Sequence, residues 1–236
     1  MRNIILVHGA FHTGECWRLL APVLEARGFV VSTPTLRGQP GNPCNPLLVN
    51  WNTYADDIIR CAAQKGSPTI LLGHSLAGFA ISAAAERRPD LFGRLIYLAA
   101  AVPKLGRSFV RDAVGQPQKG APTPKFGIKM TFPRDKAGET FYQNCTPEVR
   151  EQAVAALVPQ PLRPFLSAVR LTRAGVGSIP KHFIACAEDR VIPIDVQRQK
   201  LTNLAFDSVV TLPTDHSPFL SDPQALADCI AHISGD

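Results

Sequence analysis

The chain opens with short apolar runs that alternate with stretches of helical period. Asn3 to Val7 form a β-branched run that closes at His8-Gly9, and helical spacing follows from about Glu15 to Arg27. A second run, Phe29 to Ser32, stops before Pro34, and a helix is predicted over Trp51 to Gln64 with Asn50 or Asn52 as its cap. Thr69 to Leu72 then read as a strand, Gly73 to Gly78 as a turn, and an Ala-rich helix runs to about Arg88. Arg94 to Ala100 make another strand. Apolar strands alternating with helices imply a mostly parallel sheet of about six strands, buried on both faces: an α/β fold.

That rhythm breaks between about Pro103 and Ser178, where Pro103 to Pro133 are rich in Pro, Gly and Lys. Two helical patterns stand out inside the break, Thr146 to Leu157 and Pro161 to Leu171. Alternation resumes with a strand at His182 to Cys186 and a helix at Ile194 to Asn203. A strand at Ser208 to Leu212 and a helix at Asp222 to Ile233 complete it. The expectation is a core of residues 1–102 and 179–236, with residues 103–178 inserted as a cap after the strand at 94–100.

The densest chemical signal is Gly73-His74-Ser75-Leu76-Ala77-Gly78 between a strand and a helix, read as a G-x-S-x-G pattern in which Ala77 stands at the second glycine and Gly78 follows it. A serine in a tight strand-to-helix turn is pushed above the sheet edge, while the glycines let helix and strand approach. The alternative is a serine at a structural helix start. A serine hydroxyl needs a base. His216, in Thr214-Asp215-His216-Ser217-Pro218-Phe219, follows the last strand and so falls at the same sheet edge; His8, His12, His74, His182 and His232 sit in the first loop, the elbow, a strand and a helix. The acid is sought between serine and histidine in chain order. Asp189, in Ala187-Glu188-Asp189-Arg190 after a strand, is the choice; Glu188 is its competitor, and Asp215 adjoins the histidine too closely to serve the same ring. Backbone amides of Ala10 and Leu76 are the expected oxyanion donors.

With these pieces placed, the chain resembles the α/β-hydrolase branch of plant methylesterases, plant hydroxynitrile lyases and bacterial carboxylesterases related to pyrethroid hydrolases. The resemblance rests on LVHGAFHTGECW, GHSLAGFA, FYQNC, ACAEDRVIP and TDHSPFLSDP, and covers nearly the whole chain. It implies an α/β-hydrolase fold and a triad of Ser75, Asp189 and His216, with Ala10 and Leu76 at the oxyanion. The lyase branch carries a threonine and a lysine where this chain has Gly9 and Ser217, which favours hydrolysis. The implied function is a serine carboxylesterase for a small apolar or aromatic ester, acting through an acyl-enzyme on Ser75. A hydroxynitrile lyase, a lactonase and a slow-turnover ligand receptor are the alternatives. Phe11, His12, Trp17, Phe79, Phe132, Phe141 and Tyr142 are candidate pocket walls, each equally readable as core packing, and Phe219 is expected against the histidine loop.

Composition narrows the rest. The 236 residues are 45% hydrophobic and 19% charged, ordinary for a globular chain, and Lys plus Arg exceed Asp plus Glu by 25 to 19. The excess is scattered, with no basic stripe interleaved with aromatics, so nucleic acid is not an expected partner. Six dispersed cysteines show no zinc spacing, and no metal or organic cofactor is expected. The first residues run straight into a strand, and no stretch is apolar for about 18 residues, so a cytoplasmic protein without a membrane partner is expected. A small ester is the expected ligand; association into a homodimer is left open.

Overall fold

In the computed structural model, residues 2–104 and 125–235 are described, so the expected cap residues 105–124 lie outside them. Six parallel strands form one sheet: β1 (Arg2–Val7), β2 (Phe29–Ser32), β3 (Thr69–His74), β4 (Phe92–Leu98), β7 (Lys181–Cys186) and β8 (Ser208–Leu212). Their order is β2-β1-β3-β4-β7-β8. A two-stranded antiparallel pair, β5 (Lys129–Met130) with β6 (Gln160–Pro161), stands apart in the segment between β4 and β7, hereafter the cap.

Strand pleating explains the continuous apolar runs. Ile5, Val7, Leu71, Leu95, Tyr97 and Phe183 face one side, under the helices Trp51–Ala63 and Ala77–Arg87. Ile4, Leu6, Leu72, Ile96, Leu98 and Ile184 face the other, under Leu20–Glu25 and Pro223–Ile233. This second core continues into the cap through Met130, Ala137, Phe141, Tyr142, Ala153 and Leu157. Cap and sheet therefore share one hydrophobic interior.

The chain leaves β1 toward β2 on one side and returns to β3 on the other. Strand order thus reverses between β1 and β3, and the crevice outside their carboxyl ends is where such sheets hold ligands. The loop after β1 and the serine turn after β3 meet there. Gly9 allows the meeting: a Cβ on it would lie 3.0 Å from both the Ser75 Cβ and the His74 Nδ1. Gly78 does the same one turn later, where a Cβ would collide with the carbonyl oxygen of Ala101.

Several elements depart from the sequence pattern. The expected helix from Glu15 is a short 3-10 turn, Gly14–Trp17, followed by Leu20–Glu25. Pro22 in its first turn has no amide to donate and crowds the carbonyl four residues back, so helix cannot run through Arg18. Between the two candidate caps, Asn50 caps the second helix and accepts from the Asn52 and Thr53 amides, with Thr53 closing a capping box. The helix expected over Pro161 to Leu171 does not form; Pro161 lies in β6, and only Arg163–Leu166 turn as 3-10 around Pro164. A helix over Arg134–Phe141, too polar to show a stripe, was absent from the sequence pattern. A four-residue helix, Pro218–Ser221, precedes the last one.

Gly78→Ala is expected to prevent folding or to shift the thermal midpoint down by many degrees, because backbone sits where the methyl must go. Soluble yield and circular-dichroism melting check this; a melting curve like that of the parent would contradict the close approach.

Candidate active site

Ser75 is the turn between β3 and its helix, and it holds a left-handed backbone with φ 54°. A non-glycine residue there is strained by about 1–3 kcal/mol and persists only where its surroundings fix it. They do so here. The Ser75 amide donates to the Leu98 carbonyl at 3.1 Å, and the Ser75 carbonyl accepts from Ala101 at 2.9 Å and Gly78 at 3.2 Å. The residue is left partly exposed at the head of the helix, next to Leu76. Amides in the first turn of a helix have no partner within it and lie at the positive end of its dipole.

His216 is buried, and its Nδ1 lies 2.7 Å from Oδ2 of Asp189. Asp189 is itself fully engaged. Oδ1 accepts from the Val191 amide at 2.7 Å and the Ile192 amide at 2.8 Å, while the Gln197 side chain donates to Oδ2 at 3.3 Å. Gln197 also bonds both backbone groups of Cys186 and the Ile192 carbonyl, which ties the Asp189 loop to the end of β7. His74, next to the serine, donates from Nε2 to the His216 carbonyl at 2.8 Å, and the two rings lie 4.6 Å apart. The elbow thus holds the histidine loop directly. Glu188, the competing acid, points to the cap instead and accepts from the Asn144 side chain at 2.8 Å.

The loop after β1 is shaped by two more histidines. His8 Nε2 accepts from the Leu36 amide at 3.0 Å, so its proton is on Nδ1 and is donated to the Gly9 carbonyl at 2.9 Å. In a trans peptide the amide points opposite the carbonyl, so His8 fixes the direction of the Ala10 N–H. His12 donates from Nδ1 to the Ala10 carbonyl at 2.7 Å and accepts the Tyr142 hydroxyl proton at Nε2, also at 2.7 Å. Phe11 between them is left-handed, φ 65°, with its carbonyl bonded to the cap amide of Val158. Burial disfavours the charged imidazole in all of these. His8 and His12 are pushed down to about 4, and His74 well below its ordinary value, with neighbouring histidines adding to the shift at His12 and His74.

The candidate wall residues divide. Phe11, Phe132 and Phe141 form one aromatic cluster, with Phe132 and Phe141 centroids 4.5 Å apart and Phe141 reaching to 6.0 Å from the His216 ring. His12 and Tyr142 lie beside them. Phe79 is placed elsewhere, stacked on Trp51 at 5.1 Å in the core beneath the helices. Trp17 is fully buried against Phe219, 4.7 Å away, behind the histidine loop. Sequence reasoning missed Gln197, whose only trace is one polar residue on the inner face of a short helix. It also missed His8 as the anchor of the Ala10 peptide. Among the described residues, no three His, Cys, Asp or Glu side chains group as a metal site would need, and no helix is long and apolar enough to cross a membrane.

The profile of the α/β hydrolase family matches residues 4–229. The chain belongs to the α/β hydrolase family. Over 98% of its length and 87% of the relative's, this hydrolase is 34% identical to the pyrethroid hydrolase of Sphingobium wenxiniae. It is 27% identical to methylesterase 1 of Arabidopsis thaliana, covering 99% of this chain and 96% of that one. The crystal structure of a pyrethroid hydrolase from Sphingobium faniae superposes with a TM-score of 0.87 at 31% identity, covering 99% and 97% of the two chains. The hydrolase is accordingly a carboxylic ester hydrolase.

Buried neutral histidines carry a signature. Their unfolded value of about 6.5 exceeds the folded one of about 4, so the unfolded chain binds more protons between those pH values. Stability is complete above pH 6.5 and falls as pH drops toward 4, by about 3 kcal/mol for each of His8 and His12. Thermal melts from pH 7 to 4 should therefore decline before ordinary carboxylates titrate; a flat midpoint above pH 5 would contradict neutral burial.

Proposed function

We propose that this esterase hydrolyses a small apolar or aromatic carboxylic ester through an acyl-enzyme on Ser75, with His216 as base and Asp189 as orienting acid. The observation that carries this reading is the buried His216–Asp189 bond, held at the serine turn by His74. With Nδ1 bound to the carboxylate, the lone pair of Nε2 is free to take the Ser75 proton as Oγ attacks the ester carbonyl. The developing oxyanion is received by the Leu76 and Ala10 amides, the first favoured by the helix end and the second aimed by His8. His216 then gives its proton to the departing alcohol. Water, deprotonated by the same nitrogen, attacks the acyl carbonyl and returns Ser75.

The cluster of Phe11, Phe132 and Phe141, with His12 and Tyr142, supports an apolar acyl or alcohol group in the pocket, as does kinship with hydrolases of pyrethroid and methyl esters. The lyase alternative loses further ground: a Cβ at Gly9 would sit tightly, 3.0 Å from the Ser75 Cβ, and Ser217 is fully enclosed where a lysine would be needed.

Purified protein should hydrolyse short p-nitrophenyl esters in the presence of EDTA, and Ser75→Ala should lose on the order of 10⁴- to 10⁶-fold in kcat. Equal activity in both proteins would refute the nucleophile. Absence of turnover on every ester, with tight retention of a ligand, would replace the esterase reading by the receptor one.

A further inference from the structure

Asp215 is fully buried, titratable and unused by the mechanism above. Its oxygens accept three hydrogen bonds. Oδ1 takes the Ser217 amide at 3.1 Å and the Ser221 hydroxyl at 2.7 Å, both within the histidine segment. Oδ2 takes the backbone amide of Asn144, a cap residue, at 3.0 Å. The same cap turn reaches the acid loop. The Asn144 side chain donates to Glu188 Oε2 at 2.8 Å and the Gln143 side chain to the Glu188 carbonyl at 2.6 Å. Behind it, Arg150 holds the turn by donating to the carbonyls of Tyr142 and Gln143. Two residues adjoining the triad, Glu188 before Asp189 and Asp215 before His216, are thus bridged by one turn of the cap.

We infer that Asp215 is a positioning residue that couples docking of the cap, through the Asn144 amide, to the placement of the His216 ring. The inference rests on His216 being the base. The Asp189 bond fixes the tilt of the imidazole and His74 fixes the loop's carbonyl, but neither ties that loop to the cap; the Asp215–Asn144 bond does. A buried acceptor robbed of its donor has no water to turn to, so loss of either partner moves the loop rather than merely exposing it. Displacement of a catalytic group by about 1 Å is enough to cost about 100-fold in rate. The coupling makes full competence of the triad conditional on a docked cap, even for an ester too small to touch it.

The test compares Asp215→Asn, Asn144→Pro, their double variant, Asn144→Ala and Ser221→Ala on p-nitrophenyl acetate, with competent serine counted by fluorophosphonate labelling. Asn144→Pro deletes the cap amide together with the side-chain bond to Glu188 and leaves the carboxylate; Asn144→Ala removes only the side-chain bond and should keep most of its kcat, and Ser221→Ala deletes the bond within the segment and leaves the cap bond. The expected result is a kcat per labelled site lowered on the order of 10- to 100-fold in Asp215→Asn and Asn144→Pro, with KM nearly unchanged. The double variant should be no worse than either single one. Ser221→Ala should keep most of its kcat. A kcat per labelled site equal to the parent's in Asn144→Pro, with only a lower melting midpoint, would make the bond merely structural and overturn the proposal. So would additive losses in the double variant. Should Asp215→Asn fail to fold, Asn144→Pro against Ser221→Ala decides alone. Label on a residue other than Ser75 would instead defeat the reading of the active site, which keeps the two failures apart.

Discussion

The left-handed turn at Ser75 is the constraint around which the rest is arranged. It reverses the chain between β3 and its helix within two residues, and nothing local favours it. Its stability is borrowed from both sides: from β4, whose end continues the strand pairing past β3, and from the close seating of the helix on Ala101. The small residues of that helix follow from this. Ala80, Ala83, Ala84 and Ala85 are buried where the helix packs on the sheet and on the helix Trp51–Ala63, and small side chains keep both approaches close. Packing two layers away thereby becomes reactivity at the edge.

A second theme is the use of uncharged imidazoles as struts. His8, His12 and His74 each bond a backbone carbonyl of the loop after β1 or of the His216 loop, and burial keeps them neutral, so that His8 and His12 accept at one nitrogen while donating at the other. A lysine in these places would carry a charge into an apolar interior, and an asparagine could not span the same distance with a flat, stiff ring. The loop after β1 and the His216 loop are consequently held by donors that burial keeps uncharged.

Much of this was legible in the chain. The strands of the main sheet show as apolar runs because both faces are covered, and a Gly-x-Ser between a strand and a helix marks the tight turn in the sequence itself. Legibility ended where local preference was overruled. Pro22 interrupts a helical pattern that hydrophobic spacing alone continues, and Pro161 joins a strand inside a stretch whose apolar residues have helical period. The aromatics illustrate the same limit. Phe79 and Phe141 are both single aromatics in helices, yet one stacks on Trp51 in the core and the other nears His216. Which way each faces depends on the placement of helices, a tertiary fact. The support given by Gln197 is equally silent, since one polar residue on the inner face of a short helix carries no pattern.

The continuity of the second core from sheet to cap has an evolutionary reading. A lid that floats on a rim can be exchanged between relatives as a module, and substrate range then diversifies without regard to the chemistry below. Here the cap contributes Phe141, Tyr142 and Leu157 to the interior that also holds β3 and β4, and its polar turn meets the loops of Asp189 and His216. New specificity in this lineage is therefore expected to arise by point changes within a retained cap, and a transplanted cap succeeds only when its contacts travel with it.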